Sequence, residues 1–567
     1  MRINMKTNKL IISFAVLICS LATNLSAQES NIAPLQSGIA SANHLATNAG
    51  LKILREGGNA FDAAITVATV LAVVEPESSG IGGGGFWLLH DAKANKDTFI
   101  DAREYAPGKA GPDMYLDEQG NVNRDLAING PLSAGIPGLP AAITHLSKNY
   151  GVLSLEKTLA PAISIAENGF PATKKFLSMM KRRVPVIKRY SASASQFLDH
   201  GEVPTKGWIL KQPDLAKTLR LIAKNGHKGF YSGETARLMI DAMNSDGGIW
   251  TMEDLAKYQV IERKPITFKY NEFTIVTAPP PSSGGIVLAE IFNILERHPS
   301  SELSQSDAYH LIIESMRRAY RDRALYLGDP DFVEMPLDML ASKHYAAGLD
   351  ASIRMDRATP SSSLPGITPQ EEGKHTSHYS IIDKMGNRVS STVTVNLSFG
   401  SAYVAPGTGF FMNNEMDDFS AKPGEPNAFG LVGNEANSIQ PYKRMLSSMT
   451  PSFISNKDKV GVIGTPGGSR IITMVLLGML EMIEGKPVTD WVARPRFHHQ
   501  YLPDKVFIEP NAFSQQLKDQ LLSKGHTISE RKRPWGNMNA VLWDKTTNEV
   551  TAAADPRWPA GLGAINK

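Results

Sequence analysis

Read along the chain, the apolar positions alternate between helical and strand periods with few long interruptions. In residues 41–56, Leu45, Ala49, Leu51 and Leu54 fall on one side of a helix, and Gly57-Gly58-Asn59 stops it. Residues 62–74 are almost wholly apolar, the pattern of a helix buried all round. A strand is expected at 86–90 and a second one ending before Arg103; the stretch 137–260 then turns mainly helical, at 139–150, 155–168, 213–225 and 233–244. Residues 266–276 alternate as one strand, a helix follows Gly284-Gly285, and 304–327 reads as a long helix. In the last third, 379–382 and 389–396 read as the two strands of a hairpin around the turn Asp383-Lys384-Met385-Gly386-Asn387. Residues 459–464 form a further strand, and an apolar helix opens at Thr465-Pro466-Gly467-Gly468 and runs through Leu480. No internal repeat or low-complexity linker breaks this order.

The hairpin draws attention to what precedes it. Residues 355–374, with Ser361-Ser362-Ser363, Pro365, Gly366 and Pro369, block regular structure, so Thr376 stands where a cuttable loop meets a strand. If the bond before it were cleaved, Thr376 would carry a free α-amine beside its hydroxyl, and such an amine is a known local base for a weak nucleophile. A threonine ahead of a hairpin is also compatible with no chemistry at all.

Composition narrows the classes. With 567 residues, 42% apolar and 20% charged, the chain has the make-up of a globular protein able to bury a large core. A net charge of +3, with no Lys/Arg cluster interleaved with aromatics, gives no reason to expect nucleic acid. Arg2, Lys6 and Lys9, the short apolar run 10–21 and Leu25-Ser26-Ala27 read as a cleavable signal peptide over 1–27, so a secreted or periplasmic protein without a membrane anchor is expected. The only cysteine, Cys19, leaves with that segment, and with it any disulfide, thiol nucleophile or Cys-ligated metal.

Other segments carry chemistry less openly. The glycines at 82–85 follow a helix and precede a strand and no Gly-Lys-Ser/Thr closes them, so close packing between layers is preferred to phosphate binding. Arg103, just past a strand, suits bidentate capture of a carboxylate or pairing with a nearby acid. Lys181-Arg182-Arg183 reads as a solvated face. Asn413-Asn414-Glu415-Met416-Asp417-Asp418 is dense in acceptors; a solvated loop or cation site is the default for such a run, but apolar residues bracket it. Residues 422–438, rich in Pro and Gly, read as a long mobile loop. The Gly467-Gly468 pair leaves backbone N–H groups free to face an anion. His498 and His499 lack an i,i+4 partner, so no metal site is expected, and the usual serine, cysteine and zinc hydrolase motifs are absent.

Four blocks taken together resemble the γ-glutamyltranspeptidase family, bacterial type: 376–380, 413–420, 446–449 and 464–470, in order, within a match from about Ala33 to the carboxy end. The resemblance implies an α+β fold, the αββα sandwich of amino-terminal-nucleophile hydrolases, made as a precursor that cuts itself between His375 and Thr376. Residues 28–375 and 376–567 would then be a large and a small subunit that stay associated. The implied nucleophile is Thr376, with the Thr394 hydroxyl positioning the new amine and the amides of Gly467 and Gly468 forming an oxyanion hole. Arg103, Ser447 and Ser448 would meet the α-carboxylate of a γ-glutamyl group, and Asn396, Glu415 and Asp418 its α-amine, as clamps on opposite sides. Substrates would be glutathione and other γ-glutamyl compounds, acceptors water, amino acids or dipeptides, and no cofactor is implied. One departure is Phe429, where related enzymes with a lid often carry a tyrosine. A cephalosporin (glutaryl) acylase of the same superfamily and a non-catalytic secreted binding protein on this fold are the alternatives; the Glu415/Asp418 pair and the 422–438 loop weigh against the first, intact Thr376 and Gly467-Gly468 against the second.

Overall fold

Fifteen successive buried residues, Ala60–Val74, form the helix around which the first half of the core packs, as its apolar sequence requires. The computed structural model describes residues 32–364 and 376–566. The signal segment 1–27 and His375 lie outside the described residues. From Pro34 onward the chain forms one compact unit.

Thirteen strands of the two large sheets appear in chain order as β1 (Ser37–Ser41), β2 (Gly84–Asp91), β3 (Lys96–Ala102), β4 (Ile261–Arg263), β5 (Ile266–Tyr270), β6 (Phe273–Thr277), β7 (Ser377–Ile382), β8 (Arg388–Thr394), β9 (Ser452–Ser455), β10 (Lys459–Gly464), β11 (Asn539–Asp544), β12 (Glu549–Ala554) and β13 (Leu562–Asn566). The first sheet has the order β13-β1-β7-β8-β2-β3-β4 and the second β12-β11-β10-β9-β6-β5, all antiparallel. One apolar cluster joins one face of the first sheet (Trp87, Leu89, Ile100, Ile381) to the helices His44–Arg55, Ala60–Val74 and Leu139–Asn149. A second joins its other face (Phe86, Leu88, Phe99) to the second sheet (Ile275, Phe453, Val462) and to the helices Gly284–Leu295, Gln305–Tyr326 and Ile471–Ile483. The layers are therefore helix, sheet, sheet, helix. Strands from both sides of residue 376 build both sheets: they are interleaved in the first, while in the second β6 and β5 extend a block of four from the later part, so neither part could fill either sheet alone.

The expected helices at 155–168 and 213–225 and the strand at 459–464 are found at those limits. Residues 266–276 are not one strand. Asn271, with φ +50, turns the chain, so β5 and β6 form a hairpin. Of the basic run 181–183, Lys181 and Arg182 are exposed, but Arg183 is half-buried and donates to Asn129 Oδ1 (2.8 Å) and Gly400 O (2.9 Å).

The glycine segment is a packing device. A Cβ on Gly83 would lie 2.0 Å from Thr394 O, and one on Gly82 2.2 Å from Phe411 O. Backbone therefore approaches backbone where β2 meets β8, which only glycine permits. Gly83→Ala is expected to lower stability by about 1–3 kcal/mol, as overpacking of a close core does. Urea unfolding of the variant checks this; an unchanged midpoint would mean that the strand pair has room to move apart.

Candidate active site

The site is assembled at one row across the first sheet. Ser377 pairs with Val393, Val393 with Gly85, and Gly85 with Ala102. One residue beyond this row lie Thr376, Thr394 and Arg103, so register alone brings three separate segments to one sheet end. The hairpin turn fixes that register: Asp383 Oδ1 accepts from the N–H groups of Met385 (2.8 Å) and Asn387 (3.0 Å), and Gly386 takes φ +87.

The Thr376 and Thr394 hydroxyls lie 3.5 Å apart and buried. β8 ends at Thr394 because Asn396 adopts φ +72, and the Asn396 N–H donates back to Thr394 Oγ1 at 2.7 Å. The Asn396 side chain then donates to Asn414 O at 2.9 Å. Asn413 donates to Gly82 O and Gly135 O (2.8 and 2.7 Å), and its Oδ1 accepts from Glu415 N at 2.9 Å. These amides hold the short 3-10 turn Glu415–Asp418, so acids that could have formed a solvated loop are turned inward.

Arg103 is 1% exposed, yet Nη1 donates to Glu415 Oε2, Nη2 to Asp418 Oδ2 and Nε to Met445 O, with Glu104 Oε2 3.7 Å from Nη1. Burial works against this guanidinium, but the three carboxylates more than offset it and hold its pKa above the ordinary value. Burial pushes Glu415 up to about 7 against the pull of Arg103, raises Asp418, and drives Glu104 well above the carboxylate range with help from the charge of Glu415. Glu415 Oε1 remains buried with no hydrogen-bond partner among the described residues.

A cavity of about 320 Å³ gathers Arg103, Thr376, Thr394, Asn396, Glu415, Asp418, Ser447, Ser448 and Gly468. Gly467 lines a second cleft, about 1500 Å³, which Thr376 also borders. Gly467 and Gly468 have φ +146 and +58, and among the described residues neither amide has an acceptor. Two sequence expectations need correction. The cation and anion clamps are not on opposite sides: Arg103 touches Glu415 and Asp418 directly, because unpaired charges at this depth would each cost several kcal/mol. The loop 422–438 is tied to the pocket: Asn427 donates to Asp418 Oδ1 (3.1 Å), Ala428 N to Asp417 Oδ2 (3.0 Å), and Gln500 Nε2 to Gly430 O (3.1 Å). The Phe429 ring lies against Gly468, where a Cβ would meet it at 2.4 Å. The loop is thus closed by backbone and amide groups without a tyrosine hydroxyl.

Arg323 is the pocket residue that sequence reasoning missed. It donates to Ser283 Oγ at 3.0 Å and faces Ser448 Oγ at 3.5 Å, and burial lowers its pKa to about 10. In the sequence it is one of four arginines on an ordinary long helix, and nothing but the fold distinguishes it. His498 and His499 are buried and bonded to Thr473, Gln500 and Asp504. No group of three metal-ligating side chains occurs among the described residues.

Arg103→Met leaves Glu104, Glu415 and Asp418 buried without their main cation, and is expected to cost about 3–5 kcal/mol near pH 8. The sign with pH follows from the raised carboxyls. Their folded pKa values exceed the unfolded ones, so the folded state holds more protons between the two, and stability falls as pH rises through that window. The deficit should shrink at pH 5. Urea unfolding at both pH values checks it, and an equal deficit at each would show that lost packing, not charge, is responsible.

With the geometry in view, the comparisons with known proteins are specific. The family model for gamma-glutamyltranspeptidase matches residues 46–564. A glutathione hydrolase proenzyme of Pseudomonas sp. (strain A14) is 41% identical over 96% of this chain and 97% of its own. Among solved structures, a cephalosporin acylase from Bacillus halodurans superposes with TM-score 0.83 at 29% identity, over 94% of this chain and 96% of that one. A chain of Helicobacter pylori gamma-glutamyltranspeptidase gives 0.56 at 42% identity, over 57% of this chain and 93% of that one. The sequence match along nearly the whole length and the shared sandwich agree: this chain belongs to the gamma-glutamyltranspeptidase family.

Proposed function

We propose that this protein hydrolyses and transfers γ-glutamyl groups, from glutathione and related compounds to water or to amino acid and peptide acceptors, through an ester on Thr376. The observation that carries the reading is the buried charge cluster beside Thr376. Two guanidiniums, Arg103 and Arg323, and two carboxylates, Glu415 and Asp418, border one small cavity, and Glu415 Oε1 has no donor. A glutamyl head group brings one carboxylate and one ammonium. Its carboxylate exchanges with the acids for Arg103, assisted by Ser447 and Ser448, and its ammonium takes their place against Glu415, Asp418 and Asn396, so the charge balance is preserved.

The chemistry follows in balanced steps. In the precursor the Thr376 hydroxyl attacks the His375 carbonyl, the C–N bond between the two residues breaks to free the α-amine and leave an ester on Oγ1, and water then cleaves that ester to a His375 carboxylate and the free Thr376 hydroxyl. That amine, positioned by Thr394, accepts the hydroxyl proton as Oγ1 attacks the γ-carbonyl of the donor, and passes it to the departing amine as the C–N bond breaks. The oxyanion is held by the amides of Gly467 and Gly468, each such donor being worth about 10²–10³ in rate. Water or an acceptor amine then attacks the ester, and Thr376 Oγ1 recovers its proton. The support for two subunits, 28–375 and 376–567, is that both parts contribute strands to each sheet and the word proenzyme in the name of the Pseudomonas relative. Export through the 1–27 segment accords with the sequence pattern, and no described helix is long and apolar enough to cross a membrane.

The acylase reading is favoured by the superposition on the Bacillus halodurans enzyme. It leaves unexplained why Glu415 and Asp418 should be buried at the cavity wall, since a glutaryl group has no α-amine.

Two outcomes test the proposal. Purified protein should run as two chains, the smaller beginning at Thr376, and Thr376→Ala should stay whole; a single intact chain with full activity would end this mechanism. Asp418→Ala should lower kcat/KM for a γ-glutamyl anilide by about 2–5 kcal/mol in activation free energy, the range for a lost buried charge partner. It should affect the glutaryl analogue much less, since that donor never uses the clamp; equal losses on both would return the argument to the acylase.

A further inference from the structure

Behind Thr376 lies a buried charge cluster that the chemistry above does not use. Along β7, Ser377 shares its face with Tyr379 and Ile381, which pack on the helices of the first apolar cluster. Its hydroxyl donates to Glu75 Oε2 at 2.6 Å, and the ammonium of Lys175 donates to the same oxygen at 3.1 Å. Glu75 follows directly on the helix Ala60–Val74, and Lys175 belongs to the helix Lys174–Ile187. Glu77 lies 3.7 Å from the Lys175 ammonium, and neither of its carboxyl oxygens has a hydrogen-bond partner among the described residues. Glu77 and Ser377 are wholly buried, Glu75 and Lys175 nearly so.

Two features set this cluster apart from a structural ion pair. The first is its charge count: two acids share one cation. Burial pushes Glu77 up to about 7 against the pull of Lys175, and the charge of Glu75 acts in the same direction as burial. A buried acid so placed is costly unless a further positive charge stands beside it. The second is its place. Lys175 and Ser78 line the cleft that Thr376 also borders, and one peptide bond joins Ser377 to Thr376. The hydroxyls of Ser78 and Ser79 are likewise buried and without partners among the described residues, so unmatched polar atoms concentrate on residues 77–79. That segment is held in place, since Glu77 O accepts from Phe399 N at 3.2 Å.

We infer that Glu75, Glu77 and Lys175 are positioning residues for the Thr376 amine: Glu75 and Lys175 fix the start of β7 through the Ser377 hydroxyl, and Glu77 is the counter-charge of the ammonium that cleavage creates. This role rests on the self-cleaving γ-glutamyl reading, because before the cut the Thr376 nitrogen is a neutral amide with no charge to match. After the cut, two acids stand with two cations. A carboxylate behind the amine favours its protonated form and makes it the stronger base toward the hydroxyl or water proton. Thr376 also shares the smaller cavity with Arg103, Arg323, Glu415 and Asp418. In the larger cleft it meets Arg182, Glu530, Arg531, Lys532 and Arg533 besides Lys175. All of these remain in a variant of Glu77, so a shift seen there belongs to Glu77.

The test is the pH dependence of kcat for hydrolysis of a γ-glutamyl anilide by the processed wild type, Glu77→Gln and Glu77→Asp. The first variant keeps the shape and removes the charge; the second keeps the charge. Without the carboxylate the amine loses its proton more readily, so the acid limb of the profile is expected to move down by about half to one pH unit in Glu77→Gln. In Glu77→Asp it should return toward the wild-type position. Urea unfolding at pH 8 runs alongside, and Glu77→Gln should be at least as stable as the wild type, because it loses a buried acid without a hydrogen bond. An unmoved limb in Glu77→Gln, an equal shift in both variants, or a marked loss of stability would assign Glu77 to the fold and overturn the inference while leaving the γ-glutamyl reading intact. A Glu77→Gln chain that stays uncut would overturn it too, by placing the role of Glu77 before the amine exists. If the processed wild type does not turn over the anilide, the γ-glutamyl reading falls, and this inference with it.

Discussion

Arg103 is almost wholly excluded from water, and the pocket around it is arranged to make that tolerable. A guanidinium at this depth needs counter-charge within contact distance, and Glu415 and Asp418 supply it from the 3-10 turn, with Glu104 behind. The carboxylates outnumber what one cation can stabilise. Burial and the charge of Glu415 drive Glu104 well above the ordinary carboxylate range, while Arg323, on the long helix, approaches from the other side. Two guanidiniums and two carboxyl groups, those of Arg103, Arg323, Glu415 and Asp418, thus border one cavity of about 320 Å³. A zwitterionic head group can enter such a cluster by exchanging partners, without leaving a charge stranded; a ligand with only one of its two charges cannot.

That cluster holds its shape because the backbone around it has little freedom. Thr376, Thr394 and Arg103 come from three strands but from one row of the sheet, and Gly82 to Gly85 let those strands approach more closely than side chains would allow. The second sheet brings Gly467 and Gly468 to the same place, just past the end of β10. The groups proposed to carry the chemistry are thus set by strand register, while those proposed to select the substrate sit on loops pinned by Asn413, Asn414 and Asn396. Precision of this kind comes from rigid elements, and adaptability from what is tied to them.

Much of this was legible in the sequence, for identifiable reasons. The buried helix after Asn59, the hairpin around Asp383 and the strand leading to Gly467 have periodicity and turn chemistry that leave little choice. What was not legible depended on long-range burial. Arg183, Arg323 and the acids of the 3-10 turn look like solvated residues in sequence, because charge is normally exposed, and only the fold shows which partner covers each. The single strand expected at 266–276 failed for a local reason: Asn271 tolerates the left-handed region, and alternation continues across a tight turn as readily as through a strand. The opposed clamps failed for an electrostatic one, since a pattern that gives the residues of a pocket does not show whether they face a ligand or each other.

The two cavities that share Thr376 are unequal, and the inequality has a mechanical consequence. On the smaller side the loop 422–438 lies closed, with the Phe429 ring against Gly468 and Asn427 bonded to Asp418, so the cavity that borders Thr376 there is covered by groups of the chain itself. On the larger side the wall is open and cationic. An acyl-enzyme formed here would have its acyl chain covered and its ester carbonyl approachable mainly from the open cleft.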